Sequence, residues 1–425
     1  MRILMLTVGS PHPPNTGGHQ RTNLLYRSLS EIAPVDLVID GVDGQFTPQE
    51  ISVLRKEFSL QGFVPPLSRP DPVVSRLARP ASKKVAGYLA RYFYPDRLDY
   101  APQRRFRDAL SDLIKKNAYS LALTRTLALA AQSGLADVMA TIADVDDGPI
   151  EVFTSLLADR SGTWSPAARL VWRRRLSEVR RVVPAQAARC AGLFVTKPQD
   201  IRYPGLENAV VLPNIPFPRT PDPGPLPASA GGCKTILFVG AYFAPNIRAV
   251  DWFIRNCWPA IRIAEPRAKF RVVGRGFERE ARERWGSSVG VEIVGPVDDI
   301  TGEYRNAAFT VAPMLDGAGS NIKVLESLSL GRACVVSHHA HRGYESVLPH
   351  GIGVLVAGGA SEVTRSCVAL LTDLPNRDAV AVSGALAIRR NFSYAAFSSA
   401  MASMVNKVMG GGANREYRDG DFNAG

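Results

Sequence analysis

The chain has 425 residues, of which 46% are hydrophobic and 21% are charged. That balance is typical of a globular protein with a full-sized core, and it excludes mainly disordered, fibrous and disulfide-stapled proteins. The 51 Lys and Arg residues exceed the 39 Asp and Glu residues, for a formal net charge of +12, an excess that attracts anions without choosing among them.

The five cysteines are scattered and form no Cys-x-x-Cys pair, which is typical of reduced thiols in a cytoplasmic protein. The apolar run at residues 3–8 is too short for a signal peptide, and the longest apolar stretch, residues 121–143, is broken by charges. We therefore expect a cytoplasmic protein without a membrane-spanning helix, associated at most with a membrane surface.

The first part of the chain alternates predicted strands and helices. Residues 2–8 are predicted to form a buried strand, residues 20–32 an amphipathic helix and residues 35–39 the next strand. This order indicates a parallel sheet with helices on its faces. Further strands are predicted at residues 121–124, 138–145 and 193–196, and a long arginine-rich helix at residues 166–190.

Residues 62–107 differ because they are rich in proline, arginine and aromatic residues. We interpret them as an excursion from the sheet and not as a separate domain. Together with the arginine-rich helix, they predict a basic face for an anionic membrane surface, where each basic residue contributes ~1 kcal/mol. A solvated helix face without a partner explains the same residues equally well.

Seven prolines and three glycines between Pro213 and Cys233 indicate a stiff, exposed linker. Beyond it, strands are predicted at residues 235–239, 269–273, 291–294, 309–312, 333–337 and 353–356. Helices are predicted at residues 250–263, 278–285, 299–306, 321–330 and 361–373. The predicted fold class is α/β, with two doubly wound Rossmann-like domains facing a central cleft, because open α/β sheets bind ligands beyond the carboxyl ends of their strands.

The predicted boundaries are a first domain at residues 1–213, a linker at 214–232 and a second domain at 233–392. A closing helix at residues 393–409 is expected to pack back on the first domain. Residues 410–425 are expected to form a disordered tail, because they are polar and rich in glycine.

Common nucleotide motifs fail in this chain. Gly274-Arg275-Gly276 follows a predicted strand, but Arg279 replaces the third glycine that a dinucleotide site needs. Residues 232–235 lack the glycine spacing of a phosphate-binding P-loop and precede a strand instead of following one. No nucleic-acid-reading motif is recognisable either, so no nucleic-acid partner is expected.

The most informative stretch is residues 313–337. A predicted strand leads into a glycine-rich loop, and the helix that follows ends at Gly331, a residue type suited to the turn after a helix. Backbone N–H groups of the loop are therefore expected at a helix N-terminus, where the dipole favours an anion by up to ~2 kcal/mol. The loop residues concerned are Gly317, Ala318, Gly319, Ser320 and Asn321.

Two charged side chains follow on the same helix. Lys323 lies one turn in and can add a charge-assisted hydrogen bond of roughly 1.5–3 kcal/mol to a phosphate. Glu326 lies three residues later on the same face, where a carboxylate can accept hydrogen bonds from ribose hydroxyls. A capped helix with a surface Lys–Glu pair would give the same local pattern, so both interpretations stay open on these residues alone.

The stretch resembles the donor-binding signature of glycosyltransferase family 4, in the form found among bacterial polysaccharide and cell-envelope transferases. The signature is an acidic residue, seven intervening positions and a glutamate. Glu326 matches the glutamate, whereas Ala318 stands where the first acid belongs. Asp316 is the candidate to replace that acid.

Other segments resemble the same family and add candidates. Residues 236–253 resemble the first strand and loop of its C-terminal domain, where Asn246 and Arg248 are the available polar residues. Arg275 follows a matching strand end and would reach the diphosphate of a donor. In the first domain, Gly17 and Gly18 match the glycine loop after the first strand, which lets the backbone approach a substrate closely.

The resemblance implies a GT-B fold and a retaining glycosyltransferase, which moves a sugar from a nucleotide-diphosphate donor to an acceptor hydroxyl in polysaccharide, glycolipid or natural-product glycoside synthesis. Lys323 and Arg275 would neutralise the departing diphosphate, and no cofactor or catalytic metal would be needed. Acceptors in such pathways are often lipid-linked, which agrees with a basic face. An epimerase-like enzyme or a non-catalytic protein on the same scaffold is the alternative.

Carboxylates and histidines elsewhere are weaker candidates. Asp146 and Asp147 end a predicted strand, where family members often place a polar residue near the transferred sugar, and Asp147 is retained as a catalytic candidate. A polar strand end or helix cap explains both residues as well. His338, His339 and His341 have only Glu345 as a nearby carboxylate and no cysteine, so no metal site is predicted.

Overall fold

The structure, a computed structural model, describes residues 1–65, 100–146, 148–158, 166–218, 232–277 and 280–411. Asp147, Arg279 and most of the predicted excursion, linker and tail lie outside the described residues. The chain divides into two compact units, one formed by Met1–Pro213 with Phe397–Gly425 and the other by Asn214–Ala396.

The first unit is built on a parallel sheet. Its strands are β1 (Ile3–Thr7), β2 (Val35–Asp40), β3 (Leu60–Val64), β4 (Leu121–Thr124), β5 (Thr141–Val145), β6 (Gly192–Val195) and β7 (Val210–Val211). They are ordered β3-β2-β1-β4-β5-β6-β7, and every neighbouring pair is parallel. All five residues of β1 are buried, as expected for a central strand covered on both faces.

Helices separate these strands in the chain. They are α1 (Gly17–Ser30), α2 (Pro48–Glu57), α3 (Arg104–Lys116), α4 (Leu127–Ser133), α5 (Leu135–Val138), α6 (Pro149–Ala158) and α7 (Pro166–Ala187). The helix predicted at residues 166–190 corresponds to α7. The alternation of strands and helices confirms the predicted α/β class.

The second unit contains a six-stranded parallel sheet. Its strands are β8 (Thr235–Val239), β9 (Lys269–Val273), β10 (Val291–Gly295), β11 (Phe309–Ala312), β12 (Cys334–Ser337) and β13 (Val354–Ala357). The strand order is β10-β9-β8-β11-β12-β13. All six strands lie at or within one residue of their predicted bounds.

The helices of the second unit follow the same alternation. They are α8 (Ala244–Asn256), α9 (Trp258–Ala264), α10 (Glu280–Trp285), α11 (Ile300–Arg305), α12 (Ile322–Ser329), α13 (His338–His341), α14 (Ala360–Thr372) and α15 (Leu374–Asn391). A last helix, α16 (Tyr394–Gly411), belongs to the first unit from Phe397 onward. A Cβ on Gly192 of β6 would lie 2.7 Å from Sδ of Met404 in α16, so glycine allows this close packing.

Several predicted boundaries are wrong. The single helix predicted at residues 250–263 is two helices that meet at Cys257, because Pro259 is suited to a helix start and cannot donate a backbone hydrogen bond. The excursion predicted at residues 62–107 is shorter at both ends, since β3 reaches Val64 and α3 begins at Arg104. Among the described residues, none of the helices is both long and apolar enough to cross a membrane.

Candidate functional site

The candidate site lies at the switch point of the second sheet. β8 and β11 are neighbours, but the chain continues from β8 to β9 on one side and from β11 to β12 on the other. Loops that diverge in this way leave a crevice at the carboxyl ends of the two strands, which is where open α/β sheets bind ligands. The residues 313–321, here called the 313–321 loop, connect β11 to α12 at this point.

The N-terminus of α12 offers backbone donors. Asn321, which precedes the helix, makes no side-chain capping hydrogen bond. The N–H groups of Gly319, Ser320 and Asn321 make no hydrogen bond within the described part of the chain. Because the dipole of α12 is positive at this end, these groups suit an anion. At the other end, Gly331 has φ +70° and confirms its predicted place after the helix.

Lys323 supplies a positive charge beside these amides. Its Nζ donates a hydrogen bond of 2.6 Å to Oδ1 of Asn246 and lies 4.5 Å from the ring centre of Phe238. Sδ of Met314 is 3.5 Å away. Burial among these groups lowers the pKa of Lys323 to about 7. An anion bound beside Nζ would favour the charged form and raise that pKa again.

Asn246 is buried in the first turn of α8 and is fixed at both ends of its side chain. Its Nδ2 donates to the carbonyl oxygen of Ala241 at 2.8 Å, while its Oδ1 accepts from Lys323. A Cβ on Gly240 would lie 2.6 Å from that Nδ2 and 3.2 Å from Nζ of Lys323. Gly240 is therefore part of the site, although the sequence analysis missed it.

Gly274 completes this close packing after β9. Its φ is +150°, and a Cβ there would lie 1.8 Å from the carbonyl oxygen of Gly240. Since that neighbour is backbone, no side-chain rearrangement would relieve the clash. Gly274 does not belong to a complete dinucleotide motif, but its lack of a side chain is required for the close packing next to Lys323.

Glu326 lies one turn after Lys323 on α12. Its Oε2 accepts a hydrogen bond of 3.1 Å from the hydroxyl of Tyr304. The side chain is half-buried. A tyrosine hydroxyl that donates to one oxygen orients the carboxylate, and a carboxylate can accept several hydrogen bonds at once.

Asp316 has a partner that the sequence analysis did not predict. Arg248 of α8 donates from Nε to Oδ2 and from Nη2 to Oδ1, both at 2.7 Å. Only 22% of the Arg248 side chain and 15% of the Asp316 side chain are exposed. The carboxylate proposed as a substitute for the missing acid is therefore engaged in a bidentate ion pair.

The middle of the 313–321 loop is held by the segment after β12. Gly317 has φ +114°, and its carbonyl oxygen lies 2.9 Å from Nη2 of Arg342 and 2.9 Å from Nε2 of His339. His341 instead directs Nε2 to the carbonyl of Leu348 at 2.6 Å. Among the described residues, no cluster of His, Cys, Asp or Glu is arranged to hold a metal ion.

Arg275 lies in the turn after β9, at the same edge of the sheet as Gly240. Its side chain is exposed, and it makes no hydrogen bond or ion pair with the described residues. Its carbonyl oxygen accepts from the N–H of Tyr242 at 2.8 Å, which ties the turn to the segment after β8. The guanidinium group is therefore accessible to a ligand.

The remaining candidates belong to the first unit. Gly17 and Gly18 are the first residues of α1, behind the capping residue Thr16, whose hydroxyl accepts from the N–H of His19 at 3.3 Å. Asp147 lies outside the described residues.

Asp146 accepts a hydrogen bond of 3.0 Å from Arg125 and is 19% exposed. Arg125 also pairs with the buried Asp144, which Arg21 contacts at 2.5 Å. Two arginines hold these carboxylates, and neither arginine was identified from the sequence. Asp146 is thus oriented at the carboxyl end of β5.

One family model matches part of the chain. Residues 233–373 match the family model described as "Glycosyl transferases group 1", and the match contains every candidate of the second unit. No curated protein matches the chain.

Solved structures match over almost the whole chain. Sucrose-phosphate synthase from Thermosynechococcus elongatus is 13% identical with a TM-score of 0.69, over 97% of this chain and 100% of that one. HepE of Anabaena in complex with UDP is 12% identical with a TM-score of 0.61, over 96% and 100%. TarM is 10% identical with a TM-score of 0.66, over 95% and 98%. At these identities the likeness concerns the fold, which is GT-B.

Proposed function

We propose that this chain, a glycosyltransferase, transfers a sugar from a nucleoside-diphosphate donor to an acceptor hydroxyl with retention at the anomeric carbon. The proposal is supported by the match of residues 233–373 to the glycosyl transferases group 1 family within a GT-B fold. The observation that carries the proposal is Lys323 beside the amides of the 313–321 loop. HepE, which shares the fold, is described in complex with UDP-glucose.

The proposed chemistry is stabilisation of the leaving diphosphate. Charge develops on the phosphate oxygens as the glycosidic bond of the donor breaks. Lys323, Arg275 and the N–H groups at the start of α12 would neutralise it, and groups already in place do so without reorganisation during the reaction. Holding donor and acceptor in a reactive geometry supplies the rest of the rate enhancement.

These positive groups also explain why we propose that no catalytic metal is required. In metal-dependent transferases a divalent cation neutralises the diphosphate. Here a lysine, an arginine and a helix N-terminus are available for the same task. Their positive charge comes from the chain itself.

Glu326 is proposed to bind the ribose hydroxyls of the donor. The hydrogen bond from Tyr304 orients the carboxylate, and a carboxylate can accept several hydrogen bonds at once. Asp316 remains the proposed replacement for the acid missing at Ala318, now acting as an ion pair with Arg248. Gly17 and Gly18 are proposed to let the backbone at the start of α1 approach a substrate closely.

An anionic membrane surface is the proposed location of the acceptor. The exposed face of α7 carries several arginines, namely Arg173, Arg174, Arg180 and Arg181, together with the exposed Leu170. Arginine side chains flanking an apolar residue suit anionic headgroups, and lipid-linked acceptors would be concentrated at such a surface.

Donor screening tests the proposed function. UDP-, GDP-, ADP- and TDP-sugars are added singly, and unfolding temperature and release of nucleoside diphosphate are measured. A bound donor stabilises the native state by mass action, so at least one compound should raise the unfolding temperature and be hydrolysed or transferred. NMR of the product should show the anomeric configuration of the donor. Stabilisation without turnover would favour a non-catalytic protein, and a changed sugar would favour an epimerase.

A further inference from the structure

Arg342 and His339 lie behind the 313–321 loop and are not explained by the proposed chemistry. His339 belongs to the short helix α13, and Arg342 follows that helix directly. Nε of Arg342 donates to the carbonyl oxygen of His339 at 3.1 Å, which fixes the guanidinium relative to α13. Both side chains are half-buried.

The two side chains converge on one atom. Nη2 of Arg342 donates to the carbonyl oxygen of Gly317 at 2.9 Å, and Nε2 of His339 lies 2.9 Å from the same oxygen. A carbonyl oxygen has two lone pairs and can accept two hydrogen bonds. Nη2 of Arg342 also lies 2.9 Å from Nε2 of His339. With its proton on Nε2, His339 donates to the oxygen itself. With its proton on Nδ1, His339 accepts from Arg342 through Nε2 and holds the guanidinium group against the oxygen.

This arrangement determines the direction of the Gly317–Ala318 peptide. Among the described residues only the His12–Pro13 peptide is cis, so the Gly317–Ala318 peptide is trans. In a planar trans peptide the C=O and N–H groups point in opposite directions. Holding the oxygen toward α13 therefore turns the following N–H away from α13. Glycine has no Cβ to oppose the φ of +114° that this orientation requires.

Residues 337–342, the segment that contains His339 and Arg342, hold the 313–321 loop at two more points. Oγ of Ser337 donates to the carbonyl oxygen of Met314 at 2.5 Å. Nδ2 of Asn321 donates to the carbonyl oxygen of Ala340 at 3.5 Å. The loop is thus fastened at its beginning, middle and end to residues 337–342. In the middle, the guanidinium group of Arg342 donates to the backbone oxygen of Gly317, and Nε2 of His339 lies 2.9 Å from both groups.

We propose that Arg342 and His339 are positioning residues of the donor site, which orient the amides of the 313–321 loop for the diphosphate by clamping the carbonyl of Gly317. This inference rests on the proposed function. The clamp stands behind the loop and does not touch the ligand. Its effect is to remove the cost of ordering the loop when the ligand binds.

Calorimetry with UDP, GDP, ADP and TDP tests the clamp. The nucleoside diphosphate that binds the wild type best is titrated into Arg342→Met and His339→Ala, each expected to lose about tenfold in affinity, the order expected for one hydrogen bond. His339→Gln keeps an N–H donor and should restore most of the affinity. The double variant should bind the nucleotide only slightly less tightly than the single variant with the lower affinity, because both side chains act through one oxygen.

His338→Gln is the matched control, since His338 is exposed on the same helix and makes no hydrogen bond with Gly317. Its affinity should equal that of the wild type. KM for the donor should rise in the clamp variants while KM for the acceptor stays constant. Equal affinity in Arg342→Met and the wild type would overturn the proposal.

Hydrogen exchange separates failure of the clamp from failure of the proposed function. The 313–321 peptide should exchange faster in Arg342→Met than in the wild type, at unchanged unfolding temperature. If the wild type binds none of the four nucleotides, the proposed function fails. Hydrogen exchange of the 313–321 peptide is then the measurement that tests whether Arg342 orders the loop. Unchanged exchange would then overturn the clamp.

Discussion

The amide oxygen of Asn246 accepts a hydrogen bond from Nζ of Lys323 at 2.6 Å and joins the first turn of α8 to the first turn of α12. These two helices flank the switch point of the second sheet. Because the partner is a neutral amide, it orients the ammonium group without cancelling its charge. A half-buried cation with a neutral partner is suited to a ligand that brings the negative charge itself.

Replacing Lys323 by methionine should weaken donor binding and stabilise the free protein at neutral pH. Loss of a charge-assisted hydrogen bond to phosphate should reduce affinity by about 10- to 100-fold. Methionine has a similar length and no charge to desolvate, so the unfolding temperature without ligand should rise. Lys269→Met is the control, because Lys269 is 58% exposed and pairs with Glu292. Equal donor affinity in Lys323→Met and the control would contradict the proposed site.

Donor binding should depend on pH through the same lysine. The pKa of Lys323 in the free protein is about 7, and bound diphosphate should raise it, so binding at pH 8 should take up a proton. Affinity should fall as pH rises above about 7. Titration calorimetry at pH 8 in buffers of different ionisation enthalpy measures the uptake, which should disappear in Lys323→Met.

Stability without ligand should show the opposite trend. In the unfolded chain Lys323 ionises at its ordinary pKa of 10.5, well above the folded value. Between these two values the unfolded state binds more protons, so the contribution of Lys323 to the free energy of unfolding rises with pH. Denaturant unfolding of wild type and Lys323→Met should therefore converge between pH 7 and pH 10. A constant difference would show that the lysine is not desolvated.

Alanine at two glycines should separate a defect of the site from a defect of the fold. In Gly240→Ala the new Cβ meets the side chains of Asn246 and Lys323, which can shift, so donor affinity should fall with modest loss of stability. In Gly274→Ala it meets the backbone of Gly240 at 1.8 Å, so stability should fall by more than ~2 kcal/mol. Gly359→Ala is the control, since nothing lies within 4 Å of that Cβ. Denaturant unfolding and calorimetry distinguish the three variants.

Local periodicity predicted the strands of the second unit because each is a short, mainly apolar run, buried throughout in β11 and alternating in β10. Gly331 was predictable for a similar reason, since its place after a helix depends on neighbouring residues alone. β3 was missed because its sequence, Leu60–Val64, contains a glycine and exposes Gln61, so that it lacks the pattern of a buried strand.

The partners of the site residues were not predictable in the same way. Arg248 and Asp316 are 68 residues apart, and Asn246 and Lys323 are 77 apart. Such pairs depend on which strands are neighbours at the switch point, which periodicity does not determine. Arg342 was missed because its partner is a backbone oxygen, for which the sequence carries no signature.

Asp316 and Arg248 should behave as one unit. Asp316→Asn and Arg248→Met should lower the free energy of unfolding by similar amounts. The two variants should also reduce kcat/KM by similar factors. A double-mutant cycle should give a coupling of about 1 kcal/mol, because the bidentate pair is mostly shielded from water. If Asp316→Asn abolished activity while Arg248→Met preserved it, the carboxylate would contact the sugar directly and the ion pair would be incidental.

Binding to anionic vesicles should depend on the exposed arginines of α7. Arg173 and Arg180 are exposed and take no part in the ion pairs of Glu178, which Arg174 and Arg181 form. Reversing both charges in Arg173→Glu/Arg180→Glu should lower the affinity for phosphatidylglycerol vesicles by at least about tenfold, because each basic residue contributes ~1 kcal/mol. Cosedimentation at low and physiological salt measures the effect.

Arg55→Glu/Lys56→Glu makes the same change in net charge on α2, where both residues are exposed. If the membrane recognises the face of α7, this control should sediment like the wild type. Equal losses in the two variants would mean that vesicles sense only net charge. Equal sedimentation of the wild type with anionic and neutral vesicles would exclude electrostatic docking and leave the arginines of α7 as a solvated surface.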